Sequence, residues 1–371
     1  MKIAVFYNLP FSGAKRTVFE HVRGLKSLGH AIDVYTIDTH HDIFDPGSIA
    51  HNEYRYVYRP KIINVPFLKH LTNDICDFYI LKSVHKKIAE DIDKRKYDIA
   101  LVHTDKLTQA PFILRFLKTK KVYFCLEPLK IVYEYGLKMA DNLSFPNKVY
   151  ESFNRYMRKK IDRVNARFSD SSFAISYFGR ELMIQAFDLY PKISYLGVDT
   201  KKFKKLNMRK RNQILFIGQK LKMNGYNYAQ EAVQLIPKSI RPNLKILSIA
   251  DHKNDRLSDE DIIELYNESL VTLCLSNFDT FGLVVLESLA CEVPVIAFNV
   301  AGYRETMING KTGFLVDFTS VEIAERITLF LKNPDLSRSM GEKGREWVEK
   351  NWTWRKQIKE LENLLTVCAR S

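Results

Sequence analysis

In the segment Ser276–Pro294 (SNFDTFGLVVLESLACEVP), the carboxylates Asp279 and Glu287 flank Phe281-Gly282-Leu283, where a strand gives way to a helix. The first N–H groups of such a helix, those of Leu283 and Val284, have no carbonyl partner within it and can receive a diphosphate. Asp279 is placed to accept hydrogen bonds from sugar hydroxyls, and Glu287, about two turns along, to accept both hydroxyls of a ribose. The same residues also fit a plainer reading, Asp279 as a helix cap and Glu287 as a solvated helix residue. A glycoside-hydrolase pair is disfavoured, because two carboxylates on one strand-to-helix segment would not flank a bond.

A second candidate follows the opening apolar run. Asn8–Arg16 reads NLPFSGAKR, placing Ser12 and Gly13 before a helical stretch that ends near Gly29. Glycine lets a phosphate or sugar approach the helix start, where the macrodipole also favours an anion. An ordinary turn fits equally. His103 closes another apolar run (VHTD) and Glu127 follows a third (YFCLEP). His103 reads either as a group facing a ligand or as a hydrogen-bonded structural histidine. Arg155, Arg158, Lys159, Arg163 and Arg167 recur at helical spacing, with Tyr156, Ile161 and Val164 elsewhere around the helix. That stripe suits an anionic membrane surface, or a solvated face of a helix packed on a sheet.

Short β-rich runs alternate with amphipathic stretches, the pattern of βαβ units and a parallel sheet, and these must position the groups above. The first predicted strands are Lys2–Tyr7, Ala31–Ile37, Asp98–His103, Lys121–Leu126, Ser172–Ile175 and Ile193–Leu196. The second set is Gln213–Gly218, Lys245–Ala250, Leu270–Leu275, Pro294–Phe298 and Gly313–Val316. Between the sets, Asp199–Asn212 (DTKKFKKLNMRKRN) is strongly basic, lacks apolar periodicity and reads as a linker. The expectation is an α/β protein of two doubly wound domains, residues 1–200 and 201–350, with residues 351–371 a helix packing back on the first. Ligands of open parallel sheets bind beyond the carboxyl ends of the strands, so a cleft between two such domains is the expected site.

The chain has 371 residues, 46% hydrophobic and 27% charged, which excludes disordered, collagen-like and coiled-coil classes. No apolar run approaches the ~18 residues of a membrane span and the opening residues turn polar early, so a cytoplasmic protein is expected. Five scattered cysteines without a CxxC pair read as reduced core residues, neither disulfides nor zinc ligands. The net charge of +14, most of it carried by residues 1–195, points to an anionic partner. By charge alone nucleic acid, anionic lipid and phosphorylated substrates fit equally. No nucleic-acid motif accompanies the charge and the aromatics fall in strands and helices, so nucleic acid is not an expected partner.

Over nearly the whole chain these motifs resemble a known family. Ser276–Pro294 resembles the E-x-F-G-(four residues)-E and A-x-G-x-P-V pattern of glycosyltransferase family 4, retaining nucleotide-sugar enzymes of GT-B fold. Ser12–Arg16 (SGAKR) resembles its GGAER loop, Tyr195–Phe203 (YLGVDTKKF) its PNGVD-x-x-x-F hinge, and Ala301–Val316 its GG-x-x-E…G-x-TG-x-LV stretch. The resemblance implies that Asp279 touches the donor sugar, that Phe281, Gly282, Leu283 and Val284 line the diphosphate, and that Glu287 holds the ribose. Gly13, Gly218, Gln219 and Asn224 fall on the donor side, while Ser12, Arg16 and Glu127 fall on the acceptor side. Family members work without bound metal, using an Arg and a Lys to neutralise the leaving diphosphate. Here Gln219 and Asn224 hold those two positions; Lys220 and Lys222 in the same loop are the expected catalytic replacements, though a lysine is not equivalent to a forked guanidinium. Asp279 stands where the family has glutamate, Leu126 where a histidine is common, and His103 matches another family histidine. Residues 250–270 are also shorter than the family's counterpart, in a region that shapes the base pocket.

The implied activity is that of a metal-independent retaining hexosyltransferase of polysaccharide or glycoconjugate biosynthesis, with no cofactor. The sugar would move from a nucleoside-diphosphate sugar to a hydroxyl of a glycan or lipid-linked acceptor, with peripheral contact at the inner face of an anionic membrane. The substitutions at Gln219, Asn224 and Leu126 carry the alternative, a catalytically silent relative that binds a nucleotide, a glycan or a partner subunit.

Overall fold

The computed structural model describes residues 1–37, 44–59, 69–129, 144–248 and 258–371, with the side chains of residues 69–71 and 222 outside the description. The chain forms two compact units: Met1–Ile175, Gly179–Ser194 and Ile358–Ser371 make the first, and Ser176–Phe178 with Tyr195–Gln357 make the second.

The first unit is built on β1 (Lys2–Asn8), β2 (Ala31–Thr36), β3 (Asn52–Arg55), β4 (Ile99–Asp105), β5 (Lys121–Cys125), β6 (Ser171–Ala174) and β7 (Lys192–Ile193). They form a parallel sheet in the order β3-β2-β1-β4-β5-β6-β7. Helices α1 (Gly13–Ser27), α2 (Lys69–Lys94), α3 (Phe145–Arg167) and α4 (Tyr177–Phe187) connect and flank the strands. Ile3, Val5, Ile99 and Leu101 are fully buried, as are Phe6 and Val102 on neighbouring positions. Burial on both faces is why these strands read as continuous apolar runs rather than alternating ones.

The second unit carries β8 (Gln213–Ile217), β9 (Asn243–Leu247), β10 (Thr272–Cys274), β11 (Val295–Phe298) and β12 (Gly313–Val316), parallel in the order β12-β11-β10-β8-β9. Its helices are α5 (Tyr226–Leu235), α6 (Asp259–Glu268), α7 (Leu283–Ala290), α8 (Tyr303–Thr306), α9 (Ser320–Lys332) and α10 (Pro334–Asn351). Phe216, Leu273, Ile296 and Phe298 from the sheet pack with Ala229 and Val233 of α5 and with Ile323 and Ile327 of α9. A final helix, α11 (Trp354–Arg370), begins in the second unit and ends in the first.

Strand order reverses between β1 and β4 in the first sheet and between β8 and β10 in the second. Such switch points leave a crevice at the carboxyl ends of the strands, where open α/β sheets bind ligands.

The structure departs from the sequence expectations in several places, among them the strand expected at Ile193–Leu196, which is Lys192–Ile193. Strand β3 (NEYR) was not anticipated, because an edge strand half-open to solvent needs no apolar run. The strand expected at Lys245–Ala250 begins at Asn243, and residues 249 and 250, like the first part of the shortened 250–270 segment, lie outside the described residues. The chain divides at Ser194/Tyr195 rather than at 200/201, and Asp199–Asn212 is not a linker. Its Phe203 is fully buried, the Leu206 N–H donates to Asn267 Oδ1 at 2.7 Å, and Arg345 donates to the carbonyls of Phe203 and Thr200 at 2.8 and 2.9 Å. Backbone bonding, not apolar periodicity, fixes that segment. All five cysteines are free, and four are buried; Cys76 is only half-buried and is not a core residue.

Candidate functional site

Beyond β10 the chain leaves the second sheet and turns into α7, and Asp279 organises the turn. Its Oδ1 accepts the N–H groups of Phe281 and Gly282 at 3.0 and 2.7 Å, and its Oδ2 accepts the Tyr303 hydroxyl at 3.3 Å. Its carbonyl accepts the Gly302 N–H at 3.0 Å. Asp279 therefore caps the turn before the helix, while Gly282 occupies the helix cap itself, at φ 92. A side chain at 282 would press on Tyr303 and Thr306 at 3.0 and 3.1 Å. Because glycine has no side chain to offer, no side chain caps α7. The half-exposed Leu283 and Val284 thus present the N–H groups of an uncapped, positively polarised helix start, a site suited to an anion.

Glu287 lies one turn further along α7, half-buried, and its Oε2 accepts the hydroxyl of Tyr266 on α6 at 3.1 Å. Burial, and the charge of Glu287 beside it, push the Tyr266 hydroxyl well above the ordinary tyrosine value, so it remains a donor and fixes the carboxylate. Phe281 is buried against Tyr195 and Trp352, at ring-centroid separations of 6.3 and 5.7 Å. Its ring belongs to the core and its N–H to Asp279, so Phe281 shapes the turn rather than offering a donor to a ligand.

The loop after β8 closes the other side of the switch point. The Gly218 N–H donates to the Leu247 carbonyl at 3.0 Å, Lys222–Asn224 form a single tight turn, and the Asn277 N–H donates to the Met223 carbonyl at 3.2 Å. Gly225 has φ 76, and a Cβ there would stand 2.1 Å from the Leu275 carbonyl oxygen. This contact pins the loop to the end of β10. Gln219 and Lys220 are exposed and Asn224 is half-buried, so the loop offers neutral amides where the family pattern has an Arg and a Lys. Lys222 shares the turn, with its side chain outside the described residues.

In the first unit, Ser12 caps α1: its Oγ accepts the Lys15 N–H at 3.3 Å and donates to the Pro10 carbonyl at 3.0 Å. Gly13 opens the helix, and a Cβ there would meet nothing within 4 Å. The Arg16 guanidinium lies over the Phe44 ring, 5.1 Å from its centroid, and Phe44 stacks on Phe11 at 5.7 Å. Glu127 is half-buried, its carbonyl accepting Gln109 Nε2 at 2.9 Å, and Leu126 beside it is buried.

His103 is corrected to a core residue. It is fully buried, its Nε2 lies 3.4 Å from His21 Nδ1, and its ring packs on Phe124 at 5.1 Å. Burial, and the neighbouring His21, push its pKa well below the ordinary value; burial alone takes His21 down to about 3. Both rings are neutral beneath α1.

At the β1/β4 switch point sequence reasoning overlooked Asp105, two residues after that histidine. Asp105 is fully buried, with Oδ2 accepting Asn8 Nδ2 at 2.6 Å and Oδ1 accepting the N–H groups of Leu107 and Thr108 at 2.7 and 3.0 Å. His85 Nδ1 accepts the Ile113 N–H at 3.2 Å, so its proton sits on Nε2, which faces Asp105 Oδ2 at 3.4 Å. Burial alone would raise the Asp105 pKa, but the hydrogen bonds from His85, Asn8 and Leu107 hold it below the usual carboxylate value. The signal was an aspartate at a strand end followed by a turn. Among the described residues no three His, Cys, Asp or Glu side chains are placed to share a metal ion.

Two doubly wound Rossmann-like units, the second with an uncapped helix start at its switch point, define an α/β architecture of the GT-B class. Residues 254–347, which include Asp279, Gly282 and Glu287, match the family model of Glycosyl transferases group 1. Over 86 residues the chain is 42% identical to the GDP-mannose-dependent alpha-(1-6)-phosphatidylinositol monomannoside mannosyltransferase of Mycolicibacterium smegmatis, covering 23% of this chain and 22% of that protein. Over 118 residues it is 34% identical to the N-acetyl-alpha-D-glucosaminyl L-malate synthase of Bacillus anthracis, covering 30% of this chain and 31% of that one. In both cases the chain matches less than a third of the relative's length. In fold it is similar to Anabaena HepE, solved in complex with UDP, at TM-score 0.71 and 15% identity over 99% of this chain and 100% of that one. It is likewise similar to the sucrose-phosphate synthase of Thermosynechococcus elongatus, at TM-score 0.73 and 16% identity over 100% of each chain.

Proposed function

We propose that this chain is a retaining glycosyltransferase that moves a sugar from a nucleoside-diphosphate sugar to a hydroxyl of a glycan or lipid-linked acceptor. The observation that carries the reading is the uncapped start of α7 followed one turn later by Glu287, tethered by Tyr266, inside the matched segment. The helix start takes the diphosphate and Glu287 the ribose hydroxyls. Asp279, already holding the turn, would reach the donor sugar through Oδ2, which it otherwise shares with the buried Tyr303 hydroxyl. In the transfer, the bond from the anomeric carbon to the diphosphate breaks and a bond to the acceptor oxygen forms. The acceptor's proton passes to the departing phosphate oxygen on the same face, so no protein nucleophile is required. The reaction is proposed to run without bound metal, the helix dipole with Lys220 and Lys222 stabilising the charge that develops on the leaving group. The protein is further proposed to act in the cytoplasm, its acceptor at a membrane face; no helix among the described residues is long and apolar enough to cross a membrane.

Thermal unfolding with UDP, GDP, ADP and dTDP, each free and as its common sugar conjugates, tests the donor site. A ligand at 100 times its Kd adds about 2.7 kcal/mol, so one nucleotide series should raise the midpoint and Glu287→Ala should abolish the rise. UDP is the first candidate, since HepE was solved with it. A Lys220→Ala, Lys222→Ala double variant should keep that rise and lose turnover by roughly two orders of magnitude. Neutral Gln219 and Asn224 favour one other reading, a silent nucleotide-binding subunit; a full midpoint rise without turnover on any acceptor would select it.

A further inference from the structure

Helices α2 and α3 run side by side in the same direction. Tyr150 and Asn154 of α3 both donate to Asp74 of α2, and one turn on the Arg158 guanidinium lies over the Phe78 ring at 5.2 Å. The rotation of α3 is fixed from its inner side. Asp162 Oδ1 accepts the Ala110 N–H at 2.9 Å, and Asn165 Nδ2 donates to the Ala110 carbonyl at 2.6 Å. The opposite face is therefore held outward.

That outward face changes character along the helix. Phe145, Val149 and Tyr156 are 80%, 54% and 62% exposed, and Phe153 is exposed beside them. The four share one side of α3 over roughly 16 Å. Continuing along the same side, the exposed residues become Lys160, Arg163 and Arg167. Helix α2 repeats the order: Ile75 and Tyr79 are exposed, Tyr79 at 76%, and the following turns expose Lys82 and Lys86. An isolated exposed leucine means little, but six large apolar side chains on the same halves of two paired helices form a patch that water does not favour.

We propose that the paired outer faces of α2 and α3 dock on an anionic phospholipid bilayer. The apolar first halves enter the boundary between headgroups and acyl chains, and the basic later turns meet the phosphates. The ordering selects this occupant: a bilayer surface offers apolar depth and negative charge in that same succession. A second copy of the chain would instead bring lysine against lysine. The inference deepens the reading above by giving a lipid-linked acceptor a surface on which to be met, and rests on that reading in this respect alone.

The full chain, without nucleotide, is spun with sedimenting vesicles of phosphatidylcholine alone or of phosphatidylcholine and phosphatidylglycerol in equal parts. It should pellet with the mixed vesicles and much less with phosphatidylcholine. A Lys82→Gln, Lys160→Gln, Arg163→Gln variant should lose about fivefold in partition for each charge removed, and added salt should mimic it. A Tyr79→Ser, Tyr156→Ser variant should lose binding to both vesicles, with an unchanged melting midpoint showing that these surface changes leave the fold intact. Protein that stays in solution with both vesicles, or variants that pellet as the parent does, would overturn the proposal. So would a dimer in lipid-free buffer that the tyrosine variant dissociates. Vesicle binding needs no nucleotide and the nucleotide midpoint shift needs no vesicle, so failure of either reading is visible without the other.

Discussion

His21 of α1 and His103 of β4 are buried against each other, and their protonation opposes folding. The unfolded chain binds a proton at each below about pH 6.5, whereas the folded chain takes one at His21 only near pH 3 and at His103 well below the ordinary value. Stability contributed by these rings is therefore lost as pH falls from about 6.5. Asp162 works in the opposite sense. Burial lifts its pKa to about 7, so the folded chain accepts a proton that the unfolded carboxylate takes only near pH 3.9, and its contribution grows as pH falls through the same window. Two protons against one leaves a net loss of stability as pH falls between roughly pH 6 and 5. Asp162→Asn should make the fall in melting midpoint about twice as steep, and His103→Gln should flatten it. If neither substitution alters the slope, this assignment of the buried groups is wrong. Gly13 poses the complementary case, because a Cβ there meets nothing. The fold does not require glycine at 13, so Gly13→Ala should leave the midpoint unchanged or slightly raised; a drop in turnover would then mark it as room kept for a ligand.

At the scale of elements, two glycines in one loop separate what the fold needs from what a ligand needs. Gly225 combines φ 76 with a neighbouring carbonyl oxygen 2.1 Å from where a Cβ would stand, whereas a Cβ at Gly218 would touch Phe216 at an ordinary 3.4 Å. Gly225→Ala should therefore destabilise the second unit by about 2 kcal/mol or more, and Gly218→Ala by little; equal midpoints for the two would refute the pinned-loop description. The helix start at 282 and its flanking residues were legible beforehand, because glycine, an acidic residue and a β-run leave a local trace. Tyr266 and Tyr303 were not. Each reaches a site carboxylate from another helix, Tyr266 within DEDIIELYNE and Tyr303 within YRET, and nothing local to those sequences marks the tyrosine as its partner. His103 stayed open between two readings for a related reason: its place at a strand end is legible, but α1 lies over it, and only packing reveals that cover. Strand β3 left only a faint trace, since Asn52–Arg55 is a short edge strand from which only the half-buried Tyr54 packs on the core.

For the whole molecule, the last turns of the chain are structural members of its first unit. Ile358, Leu361, Leu365 and Cys368 are buried, and His30 Nε2 meets Glu362 Oε1 at 2.8 Å. Ile358 approaches α1 so closely that a Cβ on Gly24 would come within 2.5 Å of it. The apolar spacing at 358, 361 and 365 could be read in advance; the receiving notch at Gly24 could not, since a glycine inside a helix reads as a weakness. Each buried aliphatic side chain removed costs about 1.5–3 kcal/mol, so three of them rival the 5–15 kcal/mol by which a domain is stable. Ending the chain after Gln357 should therefore unfold the first unit while leaving intact the second, which holds the proposed donor site. Calorimetry of the shortened chain should show the loss of one transition, with the remaining one still raised by the nucleotide that binds the full chain. Gly24→Val, which forces Ile358 aside without removing it, should lower the same transition by less. A shortened chain that keeps both transitions would mean that α11 merely rests on the first unit and does not complete it.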